Sequence, residues 1–259
     1  MEFWYLLFSG ARSGAYNMSL DEELLRFALS ELDRPILRFY QWEKPTISLG
    51  FHQKLDDIKT DLCREHGIDI VVRPTGGRAI LHIDELTYSL VVPPSHPLAR
   101  LSLLQSYYRI NTAIAYGLNK LGVECSVNEG APNGAGIKNP SCFSSTSKYE
   151  ITHNGKKLVG SAQRRLKGAF LQQGSILLDR GYLMLEEFVN RSERNLAQKS
   201  TTLRDCLGFR PQVEEVASAL IWGFKEKFEI EFVDVSRDKK GRIYGISKKC
   251  FRQVCTDGA

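Results

Sequence analysis

The sequence predicts a mixed α+β domain with a largely antiparallel central sheet flanked by helices. Three observations carry that prediction. Short β-rich runs outnumber amphipathic helical patterns, several of those runs are joined by hairpin-type turns instead of helical crossovers, and 259 residues sit at the upper edge of what one hydrophobic core serves.

Residues 2 to 8 read as a first strand. A helix is expected to start near Leu20, because Ser19 followed by Glu22 has the form of a capping box and Leu20, Leu24, Leu25, Ala28 and Leu29 recur at helical spacing. Pro35 to Gln41 and Thr46 to Gly50 are β-like runs separated by the turn-forming Trp42-Glu43-Lys44-Pro45, which predicts a hairpin or two neighbouring strands. A short helix around Asp56 to His66 leads into a buried strand at Ile68 to Val72, then into the loop Arg73-Pro74-Thr75-Gly76-Gly77-Arg78. The β-rich run Leu86 to Val92 is stopped by Pro93 and Pro94. Leu101 to Leu121 is the longest helical pattern, with Leu104, Tyr107, Tyr108, Ile110, Ala113, Ile114, Tyr116 and Leu118 on one broad face.

A strand at Val123 to Val127 precedes residues 129 to 141, a loop rich in Gly, Pro and Asn, of the kind that in compact domains is often functional. Lys148 to Thr152 and Lys156 to Ala162 flank Asn154-Gly155, a strong hairpin signal. Ala169 to Leu178 is a further strand or strand pair, and helices are expected around Tyr182 to Asn190 and Gln212 to Phe228. One domain over residues 1–235 and a short basic, polar tail over 236–259 complete the organisation.

Composition narrows the function class. With 42% hydrophobic and 25% charged residues the chain is neither disordered nor collagen-like. No apolar run approaches the roughly 18 residues of a membrane span, and the run Phe3 to Phe8, preceded by Glu2, is too short for a signal-peptide core, so a cytoplasmic protein is expected. The net charge of +5 comes without any zinc-finger, RNA-recognition or basic-zipper pattern, which argues against nucleic acid and suits an anionic ligand or an acidic partner. The six cysteines, Cys63, Cys125, Cys142, Cys206, Cys250 and Cys255, form no C-x-x-C pair and have no histidine at zinc-ligand spacing, so neither a metal site nor a disulfide framework is expected.

Two constellations can carry chemistry. In Arg73 to Ala79, adjacent glycines let backbone N–H groups approach a ligand while Arg73 and Arg78 can neutralise a carboxylate or phosphate, although the spacing matches neither a nucleotide P-loop nor a dinucleotide fingerprint. The second joins Cys142, just beyond the long loop, to the hairpin carrying Lys156, Lys157 and Gly160-Ser161-Ala162. A nearby cation favours a thiolate and can polarise a carbonyl. Strand alternation turns Lys156 and Lys157 to opposite faces, so only one can serve, and the pattern leaves open which. His82 and His153 fit no triad by spacing, and Gly-Ser-Ala-Gln at 160–163 is not a nucleophile elbow.

Taken in order, the segments LRFYQWEKPTISLGFHQ (37–53), VVRPTGGRAILHIDELTYSLV (71–91), NPSCF (139–143) and GKKLVGSAQRRLKGAFLQQGSILLD (155–179) closely resemble the lipoate-protein ligase and octanoyltransferase family, whose fold is related to that of biotin-protein ligases. The resemblance runs over about residues 1 to 235. It implies a tunnel for a medium-length acyl chain, with Arg73, Thr75, Gly76, Gly77, Arg78, His82, Gly160, Ser161 and Ala162 as substrate-binding residues. Lys157, three residues before Gly160, corresponds to the family's reactive-site lysine.

The family divides by chemistry. Cysteine-type octanoyltransferases move octanoate from acyl carrier protein through an enzyme thioester to a lysine of a lipoyl domain or of the glycine-cleavage H protein, without a cofactor. Ligases activate lipoate with ATP and Mg. NPSCF resembles the nucleophile segment of the transferases and makes Cys142 the expected nucleophile, beside Lys157. The larger ligases carry an accessory domain for which 259 residues leave no room beyond about Asp234, which favours transfer, or else a ligase whose accessory part is a separate chain. Two positions depart from the family pattern: Gln173 stands where histidine is usual, and Ile83 where an acidic residue is usual.

Overall fold

The computed structural model describes residues 1–128, 149–190 and 195–235, and among them eleven strands pair into two sheets. The strands are β1 (Glu2–Arg12), β2 (Ile36–Trp42), β3 (Thr46–Leu49), β4 (Asp69–Val72), β5 (Ile80–His82), β6 (Glu85–Val92), β7 (Ser126–Val127), β8 (Ile151–His153), β9 (Lys156–Leu166), β10 (Ala169–Leu177) and β11 (Ile230–Asp234). The large sheet runs β11-β1-β2-β6-β10-β9-β8-β7, parallel across β11-β1-β2 and antiparallel from β2 to β7, while the small one runs β4-β3-β5. The expected α+β class with a largely antiparallel sheet is what forms. The loop over 129–141 and the tail over 236–259 lie outside the described residues.

Alternation gives the large sheet two unlike faces. Leu86, Tyr88, Leu90 and Val92 of β6, with Leu37 and Phe39 of β2 and Phe170 and Ile176 of β10, join one apolar cluster with the helices Leu103–Lys120 and Val213–Phe228. On the opposite face, Leu7, Ile36, Val91 and Leu171 pack on the helix Gly14–Phe27 at one end. At the other end Leu177 packs with the small sheet. Between these two clusters the face is polar.

Several local expectations change. The first helix begins at Gly14, capped by Ser13, whose Oγ accepts from the Tyr16 amide. Ser19 lies within it, exposed, so the Ser19/Glu22 spacing is only a helical repeat. β2 and β3 form no hairpin: they enter different sheets, because β3 pairs with β4 and β5 while β2 pairs with β1 and β6. β4, expected buried, is an edge strand with Val72 half exposed. On the helix Leu103–Lys120, Leu104, Tyr108 and Tyr116 face outward at 48%, 37% and 36% exposure, since a helix lying on a sheet buries a stripe narrower than its apolar residues span. The helical region around 182–190 is a 3-10 turn, Arg180–Met184, followed by a single helical turn, Leu185–Phe188. The Asn154-Gly155 hairpin forms as expected, with φ of 49° and 74° at the two turn residues.

Candidate active site

The polar belt of the large sheet floors a narrow cleft that the small sheet and the loop 73–78 roof over. Register puts the floor in rows across the strands: Gly160, Ser175, Thr87 and Tyr40 in one, Ala162, Gln173, Ser89 and Arg38 in the next. Gly174, between them on β10, is required by its other face. A Cβ there would lie 2.2 Å from the Tyr88 ring and 2.7 Å from Ser161 Oγ.

The roof is held from within. Arg73 is buried, and its guanidinium ties the loop to β3: Nη1 donates to the Ser48 carbonyl (2.9 Å) and to Ser48 Oγ (3.0 Å), and Nη2 donates to the carbonyls of Gly76 (2.8 Å) and Arg78 (2.7 Å). Gly77 adopts φ +89°, a conformation suited to glycine, and lies over Ala162. Thr75 Oγ1 donates to Gln173 Oε1 (2.8 Å), and Gln173 Nε2 donates to Asp21 Oδ2 (2.6 Å). Gln173 therefore ties the loop to a buried centre in which Asp21 also accepts from Arg38 (2.7 Å), Tyr40 (2.9 Å) and Ser89 (2.7 Å). Burial, with Asp21 alongside, pushes the Tyr40 hydroxyl well above its usual pKa, so it donates and stays neutral.

Near the Trp42 end, His82 stacks on the Trp42 ring at 3.9 Å between centroids. Its Nε2 is 2.7 Å from Ser48 Oγ and its Nδ1 2.9 Å from Glu85 Oε1, which also accepts from Trp42 Nε1 and Thr87 Oγ1. Ile83, the second departure, is a partly buried side chain against the small-sheet cluster.

Of the residues singled out from sequence, Arg73, Thr75, His82, Gly160, Ser161 and Ala162 line this one cleft, and Gly76, Gly77 and Arg78 belong to its roof loop. Lys157 lies three residues before Gly160 on β9, not in the cleft lining. It is 1% exposed, with Nζ 2.5 Å from Glu150 Oε1. The Lys156 side chain is exposed and reaches the Ala197 carbonyl, so of the two lysines it is Lys157 that turns inward. Cys142 lies outside the described residues. The thiols of Cys63, Cys125 and Cys206 are pushed up by burial, Cys125 to about 12, which leaves none of these three as a thiolate at neutral pH. Among the described residues no group of His, Cys, Asp and Glu could hold a metal ion, and no helix is long and apolar enough to cross a membrane.

Sequence reasoning missed Asp21, Glu85 and Glu150. Asp21 had a signal, an acid on the same helical stripe as Leu24, Leu25 and Ala28. Glu150 had one too, since a two-residue turn at 154–155 pairs Thr152 with Lys157 and leaves Glu150, two residues before Thr152, within diagonal reach of Lys157.

Comparison with known proteins gives a consistent result. Residues 13–225 match the model of the lipoyl protein ligase A/B catalytic domain. A protein named octanoyltransferase LipM from Lysinibacillus sphaericus is 40% identical over 245 residues, covering 89% of each chain. Its namesake from Carboxydothermus hydrogenoformans is 36% identical, covering 90% of this chain and 89% of its own. Among solved structures, lipoate-protein ligase A bound with ATP superposes with a TM-score of 0.76 at 25% identity, covering 93% of this chain and 91% of that one. A T. acidophilum protein solved with bound lipoic acid gives 0.74 at 26%, covering 93% and 92%.

Proposed function

Since the chain belongs to the lipoyl protein ligase A/B catalytic-domain family, an enzyme family, we propose that it is an octanoyltransferase of protein lipoylation, taking octanoate from acyl carrier protein and delivering it to a lysine of a lipoyl domain or of the glycine-cleavage H protein. The observation that carries this reading is the 36–40% identity, over nine-tenths of the chain, to proteins named octanoyltransferase. NPSCF at 139–143 adds to it.

The acidic carrier protein meets a chain of net charge +5, and the acyl group enters the cleft between the small sheet and the belt. Cys142 attacks the thioester carbonyl as thiolate, forming the octanoyl-enzyme bond as the carrier thiol leaves. The acceptor amine, as its neutral form, then attacks the new thioester, the C–N bond forms, and the cysteine sulfur departs. Lys157 stabilises the oxyanion in both half-reactions. Thioester to amide runs downhill, so no ATP is consumed.

Incubation with octanoyl-acyl carrier protein should place an octanoyl mass on the peptide containing Cys142, and Cys142→Ala should lose both the adduct and the transfer. An unlabelled peptide, with product formed regardless, rejects the thioester route. One observation favours a second reading, a ligase activating lipoate with ATP and Mg: a structural relative was solved with ATP bound. Full activity of Cys142→Ala with an absolute need for ATP would establish the ligase instead.

A further inference from the structure

We infer that Glu150 is a positioning residue for this reaction: its buried ion pair holds Lys157 as an oriented ammonium ion, so that Lys157 serves the reacting carbonyl as a fixed positive charge and not as a proton acceptor. The inference rests on the octanoyl-transfer reading and specifies how its lysine works.

Both partners are out of water, Lys157 at 1% and Glu150 at 4% exposure, with Nζ 2.5 Å from Oε1. A carboxylate directly beside a buried amine favours the ammonium form through its adjacent negative charge. The backbone under each partner is fastened. The Glu150 carbonyl accepts from the Asn128 amide (2.8 Å), the Asn128 carbonyl accepts from the Tyr149 amide (2.6 Å), and Asn111 Nδ2 donates to the Tyr149 carbonyl (2.8 Å). On the other side, the Thr201 amide donates to the Lys157 carbonyl (2.9 Å). Tyr149, immediately before Glu150, takes a left-handed φ of +67°, a conformation unfavourable for a tyrosine and maintained by these bonds. A charge held this way needs no reorganisation as an oxyanion develops.

The charged groups around Lys157 are few among the described residues. Glu150 approaches from the segment before β8; His153 of β8 is bonded to the Glu124 carbonyl; Lys156 points to the exposed side; Ser200 and Thr201, across a bridge to β9, bring hydroxyls. With Lys157 kept protonated, the surplus proton of the acceptor amine must go elsewhere. It balances on the departing Cys142 sulfur: the C–N bond forms, the C–S bond breaks, and the thiolate takes the proton.

Glu150→Gln keeps a hydrogen-bond acceptor of the same shape and removes the charge. Its kcat for octanoyl transfer should fall by about 100-fold at neutral pH, with KM for both protein substrates unchanged. The ratio of its rate to that of wild type should also fall as pH rises through about 7 to 9, because burial now disfavours the Lys157 ammonium while the titrations of the nucleophile and the acceptor amine are common to both enzymes. The sign decides the role: a group needed as ammonium works below its pKa and fails above it, whereas a base does the reverse. Glu150→Asp should keep the wild-type pH profile at a reduced rate. A Glu150→Gln enzyme that melts like wild type and retains its rate, or whose rate relative to wild type holds steady or rises with pH, overturns the inference. If Glu150→Gln does not fold, a Glu150→Asp rate that declines relative to wild type as pH rises overturns it equally. Wild-type protein assayed in parallel separates the two claims: no octanoyl transfer by wild type takes down the functional reading and this inference with it, while transfer by wild type with an unaffected Glu150→Gln removes only the role of Glu150.

Discussion

The two faces of the large sheet differ more than its strands do. Toward the helices Leu103–Lys120 and Val213–Phe228 the sheet presents leucine, valine, isoleucine and phenylalanine. Toward the cleft the same strands present Arg38, Tyr40, Glu85, Thr87, Ser89, Gln173 and Ser175. Both are buried, so the contrast is between two ways of filling a core. One face gains stability from apolar area removed from water, which tolerates repacking. The other depends on every polar group finding its partner, which fixes geometry at the cost of tolerance. The candidate cleft sits on the second face, where geometry is fixed, as the proposed acyl transfer requires.

The largest effect expected on the polar face is at the Arg38–Asp21 pair, in which both side chains are fully buried at 2.7 Å. Arg38→Met should cost about 3–5 kcal/mol in urea unfolding, because Asp21 remains as a buried charge without its counter-ion. It should also lower octanoyl transfer per folded molecule, since Asp21 holds Gln173 and, through it, the roof loop. A loss under about 1 kcal/mol would mean that the belt relaxes easily and the contrast is overstated.

Leu90→Ala, on the apolar face of the strand that carries Ser89, should cost about 2–5 kcal/mol by leaving a cavity. Here transfer per folded molecule should be unchanged. A Leu90→Ala enzyme with a raised KM for the donor would show that the two faces are mechanically coupled through β6.

The smallest effect belongs to an ion pair at the surface. Burial works against the Asp205 carboxylate, yet hydrogen bonds from Arg180 and Thr202 hold its pKa below the usual carboxylate range. A depressed folded-state value contributes stability that is present above the unfolded pKa, about 3.9, and is lost as pH falls through the folded one. Melting temperature should therefore drop slightly on acidification below about pH 4, and Arg180→Ala should reduce that drop. An acid limb unchanged by the substitution would assign the loss to the buried belt.

Much of this was legible residue by residue. The Asn154-Gly155 turn, the run Leu86 to Val92 and the helix ending at Phe228 rest on local chemistry, and local chemistry is written in order along the chain. The loop 73–78 and the run 160–162 were recognisable as site residues from their glycines and from family resemblance, and they meet across one cleft. The start of the first helix was misread because a Ser-x-x-Glu spacing occurs within helices as well as at their ends, and Ser13 was the residue positioned to cap. The departure at Gln173 could not be interpreted without its partners: glutamine there bridges Thr75 and Asp21, one amide serving as acceptor and donor at once.

By itself, then, the sequence determined the class of fold, the family, and which short segments carry chemistry, because periodicity, turn residues and motif spacing are properties of neighbours in the chain. Only the tertiary structure decided that β2 and β3 part into different sheets, that Lys157 and not Lys156 turns inward, and that Glu150 is the buried acid beside Lys157 while Asp21 is buried beside Arg38. Those outcomes depend on contacts between residues distant in sequence, and the cost of burying a charge without a partner selects among them only once the chain has closed around it.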